Sequence, residues 1–328
     1  MNILVTGGAG YIGSVVTEQL IEAGHKVIVY DNLTKGHEKA IHPKTKFIKG
    51  DVSDRKLVTY TLEDHQIEAV MHFAAFIEAG ESMKVPEMYF HNNTINTLLF
   101  LETLLAQRVK KFVFSSTAAV YGDPKIIPIT EDAQLKPTNA YGASKLLVEQ
   151  ALSWYHRIHG FRYAALRYFN ACGATATLGE DHHTETHLIP RALNVVIGKG
   201  ASLKLYGTDY PTKDGTCIRD YIHVSDLATA HLLALSTLDK HKTGKLIYNL
   251  GSQKGFSNKE VIDAVGQVVG KPVPFKPAAR RKGDPATLIA SSEKIKRELG
   301  WKPKYRNLDE IIATAYKWRV KHPDGYSS

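Results

Sequence analysis

Short unbroken apolar runs and helical apolar stripes alternate along the first half of this chain. Asn2-Ile3-Leu4-Val5-Thr6 ends at glycines and Lys26-Val27-Ile28-Val29-Tyr30 ends at an acid. Runs of this length between turn formers predict strands buried on both faces. Between them Val15, Val16, Leu20 and Ile21 recur at helical spacing, and Gly24 closes the helix they predict. Further strands are expected at 46–50, 69–74, 111–116 and 162–167, with helices near 56–65, 87–106 and 141–159. Parallel neighbours need long crossovers, so this alternation predicts an α/β fold with a Rossmann-type doubly wound, mainly parallel sheet.

After Asn170 the texture changes. Residues 173–187 are polar and rich in small side chains, 207–215 carry turn formers, and helices resume at Val224 to Leu238 and Asn258 to Val269. Ser257-x-x-Glu260 opens the latter as a capping box and Gly270 closes it; two last helices follow Ser291 and Asn307. The expected division is residues 1–170 as a nucleotide-binding domain, with returns near 222–250, and residues 171–328 as a smaller α/β substrate domain.

The first strand, turn and helix carry chemistry as well as topology. In Gly7-Gly8-Ala9-Gly10-Tyr11-Ile12-Gly13, Gly7 permits the tight turn, Gly10 lets backbone N–H groups approach a pyrophosphate, and Gly13 allows close packing. The spacing is one residue wider at its start than the common dinucleotide fingerprint. Asp31 ends the second strand near the distance at which an acid binds the adenosine ribose hydroxyls, and it would repel a 2′-phosphate. The expected cofactor is therefore NAD rather than NADP, with Lys35 the opposing charge nearby. Tyr141 and Lys145, at i and i+4, share one helix face, where an ammonium can favour the phenolate and lower its pKa from roughly 10. Beside a nicotinamide, such a pair points to hydride chemistry on a carbinol. Tyr121 and Lys125 repeat the spacing, but Pro124 breaks the helix that would align them.

Composition narrows the classes. With 328 residues, 43% of them apolar, the chain can bury a substantial core, and no stretch approaches the roughly 20 apolar residues of a membrane span. No secretory signal is read, so a cytoplasmic location is expected, without membrane association. The charge of +9 is scattered, Arg280-Arg281-Lys282 being the one short run, and it suits anionic small ligands rather than nucleic acid. Cys172 and Cys217 are far apart and read as reduced thiols. His182, His183, Glu185 and His187 are dense but lie in an expected loop, so they read as a solvated or ligand-facing segment and no metal is assigned.

Six segments carry a resemblance over nearly the whole chain: Val5 to Gly13, His72-Phe73-Ala74-Ala75, Phe114 to Gly122, Leu166-Arg167-Tyr168-Phe169-Asn170, Asp209-Tyr210-Pro211-Thr212-x-Asp214-Gly215-Thr216, and Arg219-Asp220-Tyr221-Ile222-His223-Val224. The sequence resembles the extended short-chain dehydrogenase/reductase family, and within it the members that epimerise UDP-sugars at C4. The resemblance implies interconversion of UDP-glucose and UDP-galactose, with transient oxidation at C4 by tightly bound NAD. It implies Thr117, Tyr141 and Lys145 as catalytic groups. It implies cofactor contacts from Gly7, Gly10, Tyr11, Ile12, Gly13, Asp31, Asn32, Asp51, Val52, Phe73, Ala74, Ala75, Asn92, Ser115, Tyr141, Lys145 and Tyr168. Thr117, Asn170, His187, Leu188, Tyr206, Arg219, Arg281, Asp284 and Leu288 match the UDP-sugar contacts; two arginines suit a diphosphate and a flat aromatic suits uracil.

This chain departs from relatives at three of these places. Thr117 stands for a serine, His187 for an asparagine and Ile77 for a lysine. Leu288 aligns with a pocket-wall position that is tyrosine in members restricted to plain sugars and small in those that accept N-acetylated ones. A nucleotide-sugar 4,6-dehydratase would carry an acidic pair where Ala118 and Ala119 stand, and a non-catalytic NAD sensor would be expected to have lost Tyr141 or Lys145. The apolar faces at 98–105 and 146–155 suit either the interior or a subunit contact; relatives pair through these helices, which implies a homodimer.

Overall fold

The computed structural model describes residues 1–240, 244–281 and 283–327, so Lys282 of the basic run lies outside it. Numbered in chain order, seven strands make one sheet: β1 (Asn2–Thr6), β2 (Lys26–Asp31), β3 (Lys46–Lys49), β4 (Ala69–His72), β5 (Lys111–Thr117), β6 (Arg162–Tyr168) and β10 (Lys245–Leu250). Their spatial order is β10-β6-β5-β4-β1-β2-β3, and every pairing is parallel. The expected Rossmann-type sheet is therefore present, with its strand order reversing beside β1.

The period of two explains why both faces of this sheet bury apolar side chains. Ile3, Val5, Val27 and Val29 face one core, into which α1 (Tyr11–Glu22) and α8 (Val224–Lys240) pack. Leu4, Ile28 and Val70 face the other, closed by α2 (Arg55–Asp64), α5 (Asn96–Ala106) and α6 (Ala140–His159). Each fully buried side chain of this size contributes about 1.5–3 kcal/mol, which is why these positions tolerate no polar substitute.

The expected helix at 87–106 is interrupted. Pro86–Tyr89 is a short helix, α4, preceded by α3 (Ala79–Ser82); Phe90–Ile95 then winds as a π-helix before α5. The wider turn brings Asn93 inward, where it accepts from Phe76 N and donates to the Phe76 carbonyl, both at 2.9 Å, and reaches Ser144 Oγ at 3.2 Å. Apolar periodicity does not register such a turn, because it displaces the pattern by a single residue.

Beyond residue 170 the structure adds elements that the polar texture concealed. A small sheet joins β7 (Asn170–Cys172), β9 (Ile218–His223), β11 (Gly255–Ser257) and β13 (Thr287–Leu288), and β8 (Leu203–Tyr206) pairs β12 (Phe275–Ala278). The helix α7 (Leu188–Val196) was not expected; its Ile189, Ala192 and Leu193 join Val261 and Ile262 of α9 (Asn258–Val269) in a third core. The capping box at Ser257 and Glu260 and the left-handed Gly270 form as expected. The chain ends with α10 (Glu293–Leu299) and α11 (Leu308–Lys321). Both cysteines are free and buried, and no helix among the described residues is long and apolar enough to cross a membrane.

Candidate active site

The expected cofactor contacts gather at the carboxyl ends of the parallel strands. Gly7 follows β1 with φ of 71°, and a Cβ there would stand 2.5 Å from Ala74 N, so only glycine lets the β1 turn meet the segment after β4. A Cβ on Gly13 would lie 2.2 Å from the Gly7 carbonyl oxygen. Gly10 is the N-cap of α1 without a side-chain cap, so the first-turn N–H groups face out of the helix end, where an anion is favoured. Tyr11 and Ile12 turn their side chains elsewhere: the Tyr11 hydroxyl donates to the Gly173 carbonyl at 2.6 Å, and Ile12 packs on the core.

Asp31, at the end of β2, is held against the glycine turn by N–H donors from Ala9 at 3.0 Å and Leu33 at 2.8 Å. Asn32 donates to Asp51 Oδ2 at 2.9 Å, and the buried Val52 follows. The structure thus brings together the residues expected at the adenosine end. Lys35, the charge that opposed an NAD preference, ion-pairs with Glu78 at 2.7 Å and is already compensated. A glycine turn that a Cβ would block, beside the buried acid Asp31, fits NAD.

The catalytic candidates converge at the end of β5. Asn139 caps α6 by accepting from Gly142 N at 2.8 Å, and Ser82 Oγ accepts from Tyr141 N at 3.0 Å. A Cβ on Gly142 would sit 2.5 Å from the Ala119 carbonyl oxygen, so this glycine lets α6 press its first turn against the segment that carries Thr117. The Thr117 hydroxyl accepts from Ala119 N at 3.1 Å and lies close enough to the Tyr141 phenol to favour its ionised form. Lys145, 1% exposed, donates from Nζ to the Ser115 carbonyl at 2.9 Å. The Tyr168 hydroxyl contacts Ser115 and His231.

Electrostatics here differ from the sequence expectation. Burial pushes the Tyr141 phenol up to about 12; Thr117 opposes this and Glu78 adds to it, while Lys145 is not among the influences. Burial also pushes the Lys145 ammonium down to about 7. The net effect of the protein's own groups is therefore to raise the phenol, because desolvation outweighs the opposing influence of Thr117.

The second set of candidates forms around β8, β9 and β13. Arg219 Nη2 lies 4.0 Å from Asp284 Oδ1, and Arg281 stacks 4.4 Å from the Tyr206 ring centroid. Tyr210 ties these groups together: its hydroxyl donates to the Asp284 carbonyl at 3.5 Å, its ionisation is influenced by Arg219, and Arg280 lies 4.1 Å over its ring. Leu288 sits beside Arg219 in register and packs against the cluster containing Ala118, next to Thr117. Asn170 pairs in register with Tyr221, and its side chain opposes the upward push of burial on the Tyr221 hydroxyl. His187 is the N-cap of α7 and Leu188 its first residue. Glu78 raises the pKa of both His187 and Tyr141, which brings the two sets of residues within electrostatic reach.

Tyr210, Asn93, Gly142 and Glu78 were not singled out from sequence. Tyr210 lies within a quoted motif, Asp209-Tyr210-Pro211-Thr212, which was its available signal. Asn92, expected at the cofactor, lies on the π-helical turn and donates to Asn93 Oδ1 at 2.9 Å. Ala75 is half-buried beyond Ala74. Tyr121, with the rejected second spacing, is buried against Arg167 and Asn249 and serves the core.

A doubly wound parallel sheet, a glycine cradle at its switch point and a tyrosine–lysine pair beside that cradle define a nicotinamide-dependent enzyme of the short-chain dehydrogenase type. The chain belongs to the NAD dependent epimerase/dehydratase family, whose profile matches residues 3–251. It is 50% identical to the UDP-glucose 4-epimerase of Halalkalibacterium halodurans, with 100% of this chain and 98% of that one covered. It is 49% identical to that of Lacticaseibacillus casei, with 99% of each covered. The UDP-glucose 4-epimerase of Bifidobacterium longum, solved in complex with NAD+ and UDP, matches with a TM-score of 0.94 at 39% identity, covering 99% of this chain and 100% of that one.

Proposed function

We propose that this enzyme interconverts UDP-glucose and UDP-galactose by reversible oxidation at sugar C4, retaining its NAD throughout. The observation that carries this reading is the close approach of the first turn of α6 to the end of β5, which sets the Tyr141 phenol within the influence of Thr117, with Lys145 one helical turn further on bonded to the Ser115 carbonyl. When bound, NAD supplies the acceptor for the C4 hydride and a positive charge beside the phenol. Tyr141 takes the proton from the 4-hydroxyl as C4 is oxidised and returns it on reduction. Thr117 orients that hydroxyl, and Lys145 holds the nicotinamide ribose. Arg219 and Arg281 grip the diphosphate, Tyr206 and Leu188 border the uracil, and Asn170, His187 and Asp284 complete the hold on the nucleotide. Firm nucleotide contacts leave the oxidised sugar free to turn about its link and present its other face. Ala118 and Ala119 carry no ionisable group, so Thr117 is followed by nothing that would eliminate the 6-hydroxyl.

In this reading residues 1–170, with the return at 222–250, bind the cofactor and 171–328 bind the sugar nucleotide. The enzyme acts in the cytoplasm as a homodimer. Leu147, Trp154 and Ile158 lie exposed on α6, opposite its buried Val148 and Leu152, and supply an apolar face for the second copy.

An absorbance scan tests the function. NAD is expected to co-purify with the protein, and UDP-galactose is expected to raise the NADH band without added cofactor. Nucleotide-free protein that epimerises UDP-galactose with no NAD supplied would overturn the reading.

Leu288 is the proposed gate for sugar choice. It faces the Ala118 cluster beside the catalytic threonine, so a larger side chain would crowd the sugar as it turns. We expect turnover of both UDP-galactose and UDP-N-acetylgalactosamine, and Leu288→Tyr should lower kcat/KM for the acetylated sugar about 10-fold or more, since overpacking costs about 1–3 kcal/mol. The plain sugar should be largely spared. Equal loss of both activities would reject Leu288 as the gate.

A further inference from the structure

The segment expected to be a solvated loop closes on itself. Glu180, His182, Glu185 and His187 each offer one ligand atom, and these four atoms all lie within 4.8 Å of one another. Both imidazoles present the same nitrogen to the centre. His182 Nδ1 is 3.1 Å from Glu185 Oε2 and 3.6 Å from Glu180 Oε1; His187 Nδ1 contacts Glu180 Oε1 and stands 3.8 Å from Glu185 Oε1. A tetrahedral ion with ligands at about 2.0–2.1 Å spaces them about 3.3 Å apart, inside this range.

The cluster is built rather than loosely gathered. Arg319 of α11 donates to the Glu180 carbonyl at 2.7 Å and ion-pairs with Asp181 at 3.5 Å. Tyr326 N donates to Asp181 Oδ2 at 2.9 Å, and His187 N to Glu185 Oε1 at 2.7 Å. These contacts fix the backbone from which the four side chains project. The side chains of Glu180, His182 and Glu185 are 7%, 15% and 11% exposed, whereas His187 is 46% exposed and leaves an entry path. A cation that displaces the imidazole protons meets two carboxylates and two neutral imidazoles, a set that matches the charge of one divalent ion.

We propose that Glu180, His182, Glu185 and His187 form a binding site for a first-row divalent transition metal of the zinc class, which staples residues 180–187 at the start of α7. The donor set selects the ion: imidazole suits zinc and its neighbours, while magnesium prefers six oxygens and keeps its waters. With Nδ1 on the metal, the His187 proton resides on Nε2, so the ion also sets that ring as a donor through its outer nitrogen. The proposal shares only His187 with the nucleotide contacts proposed above, and its test reads cation binding rather than turnover, so the two readings can fail separately.

Tag-free enzyme with its bound cofactor, stripped with a chelator, is titrated with Zn2+ and separately with Mg2+ by calorimetry. One Zn2+ per chain, a higher Tm in Zn2+ and no Mg2+ binding are expected. Co2+ should give the intense visible bands of a four-coordinate ion. His182→Gln and Glu185→Gln should each weaken Zn2+ binding at least about 10-fold, the scale on which changes around a metal site act. His183→Gln should not, because the His183 ring packs against His37, 5.1 Å between centroids, outside the cluster. The wild-type titration and Co2+ spectrum require no variant, so a substitution that impairs folding leaves the test intact. Absence of stoichiometric Zn2+ binding, equal binding of Mg2+, or Zn2+ binding unchanged in both cluster variants would overturn the site.

Discussion

Tyr141→Phe is expected to lower turnover of UDP-galactose by at least about 100-fold while leaving UDP affinity within a small factor of wild type. Phenylalanine retains the ring packing of α6 on the β5 end and deletes the oxygen proposed to move the proton, and loss of general acid–base catalysis has this scale. Since burial pushes this phenol up to about 12, the wild-type group depends on charges brought next to it to work near neutrality. Steady-state kinetics with UDP calorimetry separate the two effects. Turnover within a few-fold of wild type would remove Tyr141 from the mechanism, and parallel loss of UDP binding would assign the residue to binding instead.

Lys145→Met is expected to separate activity from stability. Turnover should fall at least about 10-fold, because the proposed hold on the nicotinamide ribose is lost and with it the alignment of the reacting groups. Stability of the nucleotide-stripped protein should change in the opposite direction. The folded Lys145 has a pKa of about 7, below the 10.5 of the exposed group, so the unfolded chain binds more protons between those values. The cost of burying the ammonium is therefore complete below pH 7 and relieved as pH rises towards 10.5. Methionine, similar in length and apolar, removes that cost; we expect a gain of about 1–4 kcal/mol near pH 7 that shrinks with rising pH. Denaturant midpoints of both proteins across this window measure it. A variant less stable than wild type at pH 7, or a difference that grows with pH, would contradict the assignment of a desolvated lysine.

Much of the fold is legible in the sequence, for a local reason. Strands buried on both faces require unbroken apolar runs, crossover helices require a periodic stripe, and Ile3 to Val5, Val27 to Val29 and the stripe at Val15 to Ile21 satisfy both directly. The glycine turn was legible because glycine is demanded by backbone geometry within a few residues. Past residue 170 the strands β7, β8 and β9 are only three to six residues long and leave weak periodic traces among turn formers. By contrast, α7 carries a clear apolar stripe through Ile189, Ala192 and Leu193 but is only nine residues long and follows a polar segment directly. The π-helical turn at Phe90–Ile95 was invisible for a different reason: it exists because Asn93 bonds Phe76 and Ser144, partners far away in the chain.

The sequence by itself determined the sheet, the dinucleotide turn, the acid at Asp31 and the Tyr141–Lys145 spacing, since each depends on residues a few positions apart or on burial that alternates along one strand. Tertiary structure decided what those groups do to one another. It set Gly142 against Ala119, which brings the phenol within the influence of Thr117, and it buried Lys145 and Tyr141 so that desolvation dominates the ionisation of both. It also spent the Lys35 charge on Glu78 and drew Glu180, His182, Glu185 and His187 to a common point. Each of these outcomes depends on distance and dielectric between segments remote in sequence, and neither quantity is written in residue spacing.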